Sequence, residues 1–96
     1  MAIDAERHRA RRDRVRALAA STLGADTLLV THLPNVRYLS GFSGSNAVLV
    51  LGSDADMDLI GTDGRYVDQV AAEAPGLPTL IDRDTLGTVV SRIAGG

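Results

Sequence analysis

The stretch that decides the fold reads Asn35-Val-Arg-Tyr-Leu-Ser-Gly-Phe-Ser-Gly-Ser-Asn-Ala-Val-Leu-Val50, and its companion is Thr62-Asp-Gly-Arg-Tyr66. Each segment contains a glycine-punctuated loop with polar residues or an arginine at its tip. The continuous apolar run Ala47–Leu51 leaves the first loop and is typical of a central strand covered on both faces. The two segments therefore predict a sheet whose buried strands carry two polar loops.

Helical and strand patterns alternate on both sides of this stretch. In chain order the predicted elements are helix 4–23, strand 27–31, one helical turn from 35 to 38 or 39, strand 47–51, strand 57–60, helix 65–74, strand 79–81 and a helix capped by Asp84. Asn35 can cap the short turn, and Gly41 is expected to end it. The third strand is expected to run antiparallel to the second. This order predicts an α/β domain with one mixed β-sheet flanked by helices.

The first predicted helix is crowded with arginine. Its apolar stripe lies in its second half and consists of Val15, Leu18, Ala19, Thr22 and Leu23. His8, Arg11 and Arg12 occupy the positions that would continue the stripe, so we expect the second half to dock and the first turns to be solvated. Because no aromatic residues interleave and the rest of the chain is acidic, the arginines indicate a solvated face or an acidic partner and not nucleic acid.

Composition excludes several classes of function. The chain has 96 residues, 45% of them hydrophobic, which suits one small domain, residues 1–96, with a largely aliphatic core. Cysteine is absent, so disulfide frameworks and thiolate sites are excluded. No apolar run reaches the roughly 20 residues of a membrane span, and the basic N-terminus lacks the apolar segment of a secretory signal. We therefore expect a cytoplasmic protein of net charge −2 without a membrane partner.

Residue types alone leave two interpretations of the loop Ser40–Asn46. It can be a tight connection with Phe42 in the core, or a surface on which Ser43, Ser45 and Asn46 present polar groups. The glycines of the loop permit either arrangement. A phosphate-binding loop is disfavoured because no lysine follows the glycines and the loop leads into a strand.

Arg65 also has two open interpretations. Asp63 can cap the helix that follows, which puts Arg65 near a helix N-terminus, an unfavourable place for a cation. Its guanidinium can form a salt bridge with Asp63 or Asp68 within the chain. It can equally bind a carboxylate from outside, such as a peptide C-terminus or an acidic neighbour.

The sequence predicts no metal site. His8 and His32 are the two histidines, and neither is followed by a histidine or carboxylate at ligand spacing. Asp54, Asp56 and Asp58 alternate, but the segment lacks the glycine and the terminal glutamate of a calcium loop. We therefore expect these aspartates to form a solvated turn.

The segments Tyr38-Leu-Ser-Gly-Phe42 and Asp63-Gly-Arg-Tyr66 resemble the N-terminal domain of the creatinase, prolidase and aminopeptidase P family, the pita-bread metallopeptidases. The resemblance assigns the following residues to a substrate pocket or interface, with no part in bond cleavage: Phe42, Ser43, Ser45, Asn46, Asp63 and Arg65. It implies that Tyr38 and Leu39 pack inside. Among the polar residues, Arg65 is the first that we expect to face an active site.

The resemblance also implies what the 96 residues do not contain. In this family the chemistry takes place in a C-terminal domain that holds two divalent ions, manganese, cobalt or zinc, on two Asp, one His and two Glu. None of those ligand motifs occurs here, and the chain ends before the last strand or strands expected of the family's N-terminal domain. We therefore expect the accessory domain of an Xaa-Pro dipeptidase or aminopeptidase, which supports oligomerisation and shapes the pocket for proline-containing peptides.

The expected partners are the protein's own catalytic domain, further copies of the protein and a proline-containing peptide. The chain by itself is not expected to be an enzyme. Two alternatives stay open: the N-terminal domain of a creatinase-like hydrolase that is not a peptidase, and a stand-alone interaction module.

Overall fold

The computed structural model describes residues 2–94; the predicted domain limits, residues 1 and 96, lie outside them. The helices are α1 (Ala2–Leu18, continued by a π-helical turn Ala19–Leu23), α2 (Leu33–Ser40), α3 (Val67–Glu73) and α4 (Thr85–Ala94). The strands are β1 (Leu28–Val30), β2 (Val48–Leu51), β3 (Leu59–Thr62) and β4 (Thr79–Ile81). Short 3-10 turns, Ala55–Met57 and Gly64–Tyr66, flank β3. No helix between residues 2 and 94 is both long and apolar enough to cross a bilayer.

The four strands form one mixed sheet in the order β1-β2-β3-β4, which confirms the predicted fold class. The pairs β1–β2 and β2–β3 are antiparallel, and β3–β4 is parallel with α3 in the connection. Every residue of β2 is buried, as the continuous apolar run predicts. Leu49 and Leu51 belong to the large core under α2 and α3, while Val48 and Val50 pack with Val89 of α4 on the other face.

The third strand begins two residues later than predicted. Met57 is part of an exposed 3-10 turn, which the Asp54 carboxylate caps by accepting a hydrogen bond from the Asp56 N–H. The strand then runs to Thr62, so that Gly61 lies under α4. A Cβ atom at Gly61 would lie only 2.6 Å from Val89 Cγ2, so this glycine permits the close approach of helix and sheet.

Helix α2 is longer than the single turn predicted. It covers eight residues because Pro34, with its fixed backbone angle, sits in the first turn, where a missing N–H costs nothing. Gly41 ends the helix in the left-handed region at φ 85°, as expected. Leu39 is buried as predicted, but Tyr38 is 51% exposed. Its ring lies outside under the Arg11 guanidinium, whose Cζ is 4.1 Å from the ring centroid.

The prediction that α1 docks by its second half, with its first turns solvated, is only partly right, because residues 8–12 dock as well. Leu18 and Leu23 are 59% and 72% exposed, and the middle of the helix faces the protein instead. Arg11 Nη1 donates to Tyr38 O at 3.0 Å, and Arg12 Nη1 donates to Leu39 O at 2.9 Å. The final carbonyls of a helix lack partners within it, so these arginines complete the end of α2.

His8 takes part in the same contact, because its Nδ1 lies 3.2 Å from Tyr38 O. The polar residues that interrupt the apolar stripe are therefore the residues that dock α1. Val15 and Ala19 of the predicted stripe do pack inward, Val15 against the large core.

The prediction that Asp58 lies in a solvated turn is wrong, because this residue is only 2% exposed. Its carboxylate accepts hydrogen bonds from Arg16 at 2.9 and 2.7 Å and from the Gly52 N–H at 3.0 Å, and Arg12 Nε lies 3.6 Å away. Burial raises the pKa of Asp58, against the opposing effect of the Gly52 N–H and the two arginines. Burial likewise lowers the pKa of Arg12, against the attraction of Asp58.

We expect Leu49→Ala to lower the free energy of unfolding by about 2–5 kcal/mol, because it leaves a cavity in the centre of the larger core. Leu29→Ala, at an exposed position of the edge strand β1, is the matched control and should cost much less. Urea-induced unfolding followed by circular dichroism measures both. Equal losses in the two variants would contradict the assignment of β2 as the central strand.

We expect Asp58→Ala to cost about 3 kcal/mol or more, because it leaves the largely buried charges of Arg12 and Arg16 without their partner. The same unfolding measurement tests it. Asp56→Ala, two residues earlier and exposed, should stay within about 0.5 kcal/mol of the unmodified chain. If both variants unfold at the same urea concentration, the Asp58 carboxylate does not hold α1.

Candidate functional site

Two polar segments meet at one end of the sheet. The first, called here the serine loop (residues 41–46), leads into β2, and the second, the arginine turn (residues 62–66), leaves β3. Because β2 and β3 are antiparallel, with Val48 opposite Gly61, the start of one and the end of the other are adjacent. Thr62 Oγ1 donates to Asn46 O at 2.5 Å and joins the two segments directly.

Asp63 connects the arginine turn to the serine loop. Its Oδ2 accepts from Asn46 Nδ2 at 2.6 Å and from Arg65 Nη2 at 2.9 Å, while Oδ1 accepts from Arg65 N at 3.0 Å and Arg65 Nε at 2.9 Å. The hydrogen bonds from Arg65 and Asn46 hold the pKa of Asp63 well below its usual range. The carboxylate is therefore ionised at neutral pH.

The Arg65 side chain forms the predicted salt bridge with Asp63 and is still 66% exposed. Hydrogen bonds to Asp63 raise the pKa of Arg65, so its charge is permanent. Nε and one Nη2 N–H contact Asp63, which leaves three of the five side-chain N–H groups free of Asp63. The side chain is thus held on one edge and can receive a carboxylate on the other.

The serine loop is tied down at both ends. Ser45 Oγ lies 2.5 Å from the Tyr66 hydroxyl, which also accepts from the Ser45 N–H at 3.2 Å; these bonds lower the pKa of Tyr66. Glu73 of α3 accepts from the Ser43 N–H at 2.8 Å and from Ser43 Oγ at 3.0 Å. Gln69 Nε2 donates to Ser43 Oγ at 3.1 Å and to Glu73 Oε1 at 3.2 Å.

Phe42 lies beneath the loop and not on its surface. The residue is 1% exposed, and its ring meets the Tyr66 ring edge-on at 5.5 Å between centroids. A Cβ atom at Gly44 would lie 2.3 Å from Phe42 Cζ, so the loop folds over the ring only with a glycine there. Phe42 therefore acts as the apolar anchor of the loop, the first of the two interpretations that its residue types allowed.

A cavity of about 390 Å³ lies between α2 and the serine loop. It is lined by Leu33, Pro34, Arg37, Phe42, Ser43, Gly44 and Ser45. Of the polar residues predicted to line a pocket, Ser43 and Ser45 line this cavity, whereas Asn46, Asp63 and Arg65 do not. Each of these side chains is hydrogen-bonded within the protein itself. Asn46 Nδ2 also donates to Thr85 Oγ1 at 3.0 Å, which links the site to α4.

Sequence reasoning missed three residues of this site: Tyr66 as a hydrogen-bonding group, Gln69 and Glu73. Their spacing, i, i+3 and i+7, places them on one side of a helix and was the signal available. The signal was missed because the helix was predicted from the apolar residues of the same segment, and its polar side was not considered.

Comparisons with known proteins agree on one family. The sequence model of the creatinase/prolidase N-terminal domain family matches residues 11–95 of this chain. The crystal structure of the N-terminal domain of cytoplasmic peptidase PepQ from Mycobacterium tuberculosis H37Rv is 44% identical with a TM-score of 0.82, over 90% of this chain and 67% of that chain. An Xaa-Pro aminopeptidase structure from Streptococcus pyogenes is 29% identical with a TM-score of 0.75, over 99% of this chain and 69% of that chain.

A curated relative is the uncharacterized peptidase YqhT of Bacillus subtilis, 39% identical over 54 residues. The matched segment is 56% of this chain and 15% of that protein. The chain therefore corresponds to a small part of the relative it matches.

We expect Asp63→Asn to destabilise the chain at neutral pH, because the amide loses the charge that holds Arg65. The folded-state pKa of Asp63 is lowered, so its contribution is present above the unfolded-state value of about 3.9 and is lost as pH falls below it. The difference between the chain and the variant should therefore shrink between about pH 5 and pH 2.

Thermal unfolding of both proteins across this pH range measures the difference. Asp68→Asn, which changes an exposed aspartate whose side chain makes no hydrogen bond within residues 2–94, is the control for the loss of one carboxylate. A pH-independent gap for Asp63→Asn would contradict the assigned role of the charge.

Proposed function

The chain belongs to the creatinase/prolidase N-terminal domain family, and from this premise we propose that it is the non-catalytic N-terminal domain of a proline-specific metallopeptidase. The peptidase would be an Xaa-Pro dipeptidase or aminopeptidase, as several structural relatives are named. The domain would shape the substrate entrance of that peptidase and support its oligomerisation in the cytoplasm.

The observation that carries the proposal is the state of Arg65. A cation with free N–H groups stands at the tip of the arginine turn, and Asp63 fixes its direction. Neighbouring Tyr66 joins it to the serine loop, and the Arg65 Cζ lies 5.0 Å from the Tyr66 ring centroid. A planar guanidinium binds a carboxylate through two parallel hydrogen bonds, so this edge is suited to the carboxylate of a peptide or of an adjacent subunit.

The residues present do not fit a two-metal centre. Within residues 2–94 no group of three or more His, Asp or Glu side chains lies where it could hold a metal ion. Manganese, cobalt or zinc would therefore be bound by the catalytic domain, and no step of the chemistry is assigned to this chain. Its proposed contribution is to bind and orient the proline-containing peptide.

The proposed contacts with the catalytic domain and with further copies need an apolar surface, and α4 offers one. Leu86, Val90 and Ile93 are exposed although the helix buries Val89 against the sheet. Their spacing places them on one side of α4. Such a strip is suited to burial against another domain or subunit.

The decisive experiment uses the full product of the gene that encodes these residues. We expect it to hydrolyse Xaa-Pro peptides with manganese present, and we expect Arg65→Ala to raise KM roughly tenfold, the loss of one charge-assisted contact at an exposed site. The turnover number should change little, because the contact is made equally in the ground and transition states.

Arg92→Ala, which removes an exposed arginine near the end of α4, is the matched control and should leave KM unchanged. Arg65→Lys keeps the charge but loses the planar fork, so it should recover only part of the effect. The proposal fails if the gene product does not cleave Xaa-Pro peptides, or if Arg65→Ala leaves KM as it was.

A further inference from the structure

Three side chains that precede or belong to α3 face the serine loop in one row. Tyr66, Gln69 and Glu73 follow each other at i, i+3 and i+7, and together they make all the hydrogen bonds from other side chains to Ser43 and Ser45 within residues 2–94. The row, called here the α3 stripe, is not part of the predicted pocket. Nothing in the likeness to known peptidases assigns it a role.

We propose that the α3 stripe is the positioning element of the substrate entrance: it holds the serine loop as a fixed wall and not as a mobile lid. That the loop lies at a substrate entrance rests on the proposed function. The holding of the loop can be tested without that function.

The contacts of Glu73 with the serine loop are charge-assisted hydrogen bonds. One carboxylate captures both the main-chain N–H and the hydroxyl of Ser43, and hydrogen bonds to a charged acceptor are about twice as strong as neutral ones. Although its partial burial acts in the other direction, the bonds from the Ser43 N–H, Gln69 and Ser43 Oγ lower the pKa of Glu73. The Glu73 carboxylate that binds Ser43 is therefore charged at neutral pH.

The loop would be mobile without these bonds. It contains Gly41 and Gly44, and ordering a residue costs about 1–2 kcal/mol of backbone entropy, more at glycine. The buried Phe42 ring fixes the loop from below. Among the described residues, the hydrogen bonds that hold the exposed Ser43 and Ser45 come from the side of α3.

The same short segment also positions Arg65. Tyr66 binds Ser45 and stands next to Arg65 in the chain, while Asp63 binds both Arg65 and Asn46 of the loop. The loop and the arginine are thus attached to one helix start. A substrate carboxylate on Arg65 and a substrate side chain against the loop would keep a constant separation.

A purely structural alternative is that Gln69 and Glu73, four residues apart, only stabilise α3 as a side-chain pair. This alternative predicts that Glu73→Ala changes the unfolding midpoint but leaves the mobility of the serine loop unchanged. Two readouts separate the alternatives: the order of the loop backbone in the 96-residue chain, and KM in the full gene product.

The test compares Glu73→Ala, Glu73→Gln and the control Asp68→Ala, an exposed acidic residue on the same helix. By ¹⁵N relaxation we expect the amides of Ser43, Gly44 and Ser45 to be rigid in the chain, with an order parameter of about 0.85. In Glu73→Ala the amides of Ser43 and Gly44 should fall below about 0.6, while Ser45, still bonded to Tyr66, should change less. Glu73→Gln keeps one acceptor oxygen without the charge and should lie between. Asp68→Ala should match the unmodified chain.

In the full gene product we expect Glu73→Ala to raise KM about tenfold if the free loop spends about a tenth of its time in the bound conformation, with little change in kcat. A rigid loop in Glu73→Ala overturns the proposal. The proposal is also overturned if the loop becomes mobile in Glu73→Ala but KM stays unchanged, while Arg65→Ala does raise KM. In that case the proposed function stands, and the proposed role of the α3 stripe is wrong. If neither Glu73→Ala nor Arg65→Ala affects KM, the proposed function is wrong. The role of the α3 stripe at a substrate entrance is then wrong too, even if relaxation shows that Glu73 holds the loop.

Discussion

The Asp63 carboxylate holds one end of this domain together, because it accepts hydrogen bonds from both of the segments that meet there. Asn46 reaches it from the serine loop, and the backbone and side chain of Arg65 reach it from the arginine turn. Its place at the end of β3, beside the start of β2, follows from the antiparallel register. Were this carboxylate neutral or absent, Arg65 would lose its direction, and the loop would lose the link through Asn46.

A similar set of charged contacts holds α1 against the rest of the domain. Asp58 binds Arg16 and caps the Gly52 N–H, while Arg11, Arg12 and His8 complete the end of α2. The core of this small domain has one phenylalanine and otherwise mainly aliphatic side chains. Aliphatic packing supplies burial without direction, so directional polar contacts decide where α1 and the loops are placed. Buried ion pairs contribute little net stability in general, which fits a role in geometry better than one in energy.

The sequence predicted those features that depend on neighbours along the chain. The apolar run at β2, the stop at Gly41, the strand at β4 and the cap at Asp63 follow from local patterns. The errors over α1 and over the site arose where a partner lies far away in sequence. Arg12 reads as solvated until the carbonyl of Leu39, 27 residues later, is known to need a donor. Glu73 likewise reads as a surface residue until Ser43, 30 residues earlier, is brought against it.

The electrostatics of the site argue for binding over chemistry. A general acid or base works best with a pKa near the working pH. The two carboxylates of this site are shifted away from neutrality, because each is held by donors: Asp63 by Arg65 and Asn46, and Glu73 chiefly by Ser43 and Gln69. Both are therefore ionised at neutral pH and occupied by hydrogen-bond donors, which is a poor arrangement for a general acid or base. What they can do is fix a cation and a loop in space, and interactions of that kind lower the free energy of substrate and transition state alike. The polar contacts of this site therefore fit the proposed role of the domain, in which Arg65 and the serine loop bind and orient a peptide.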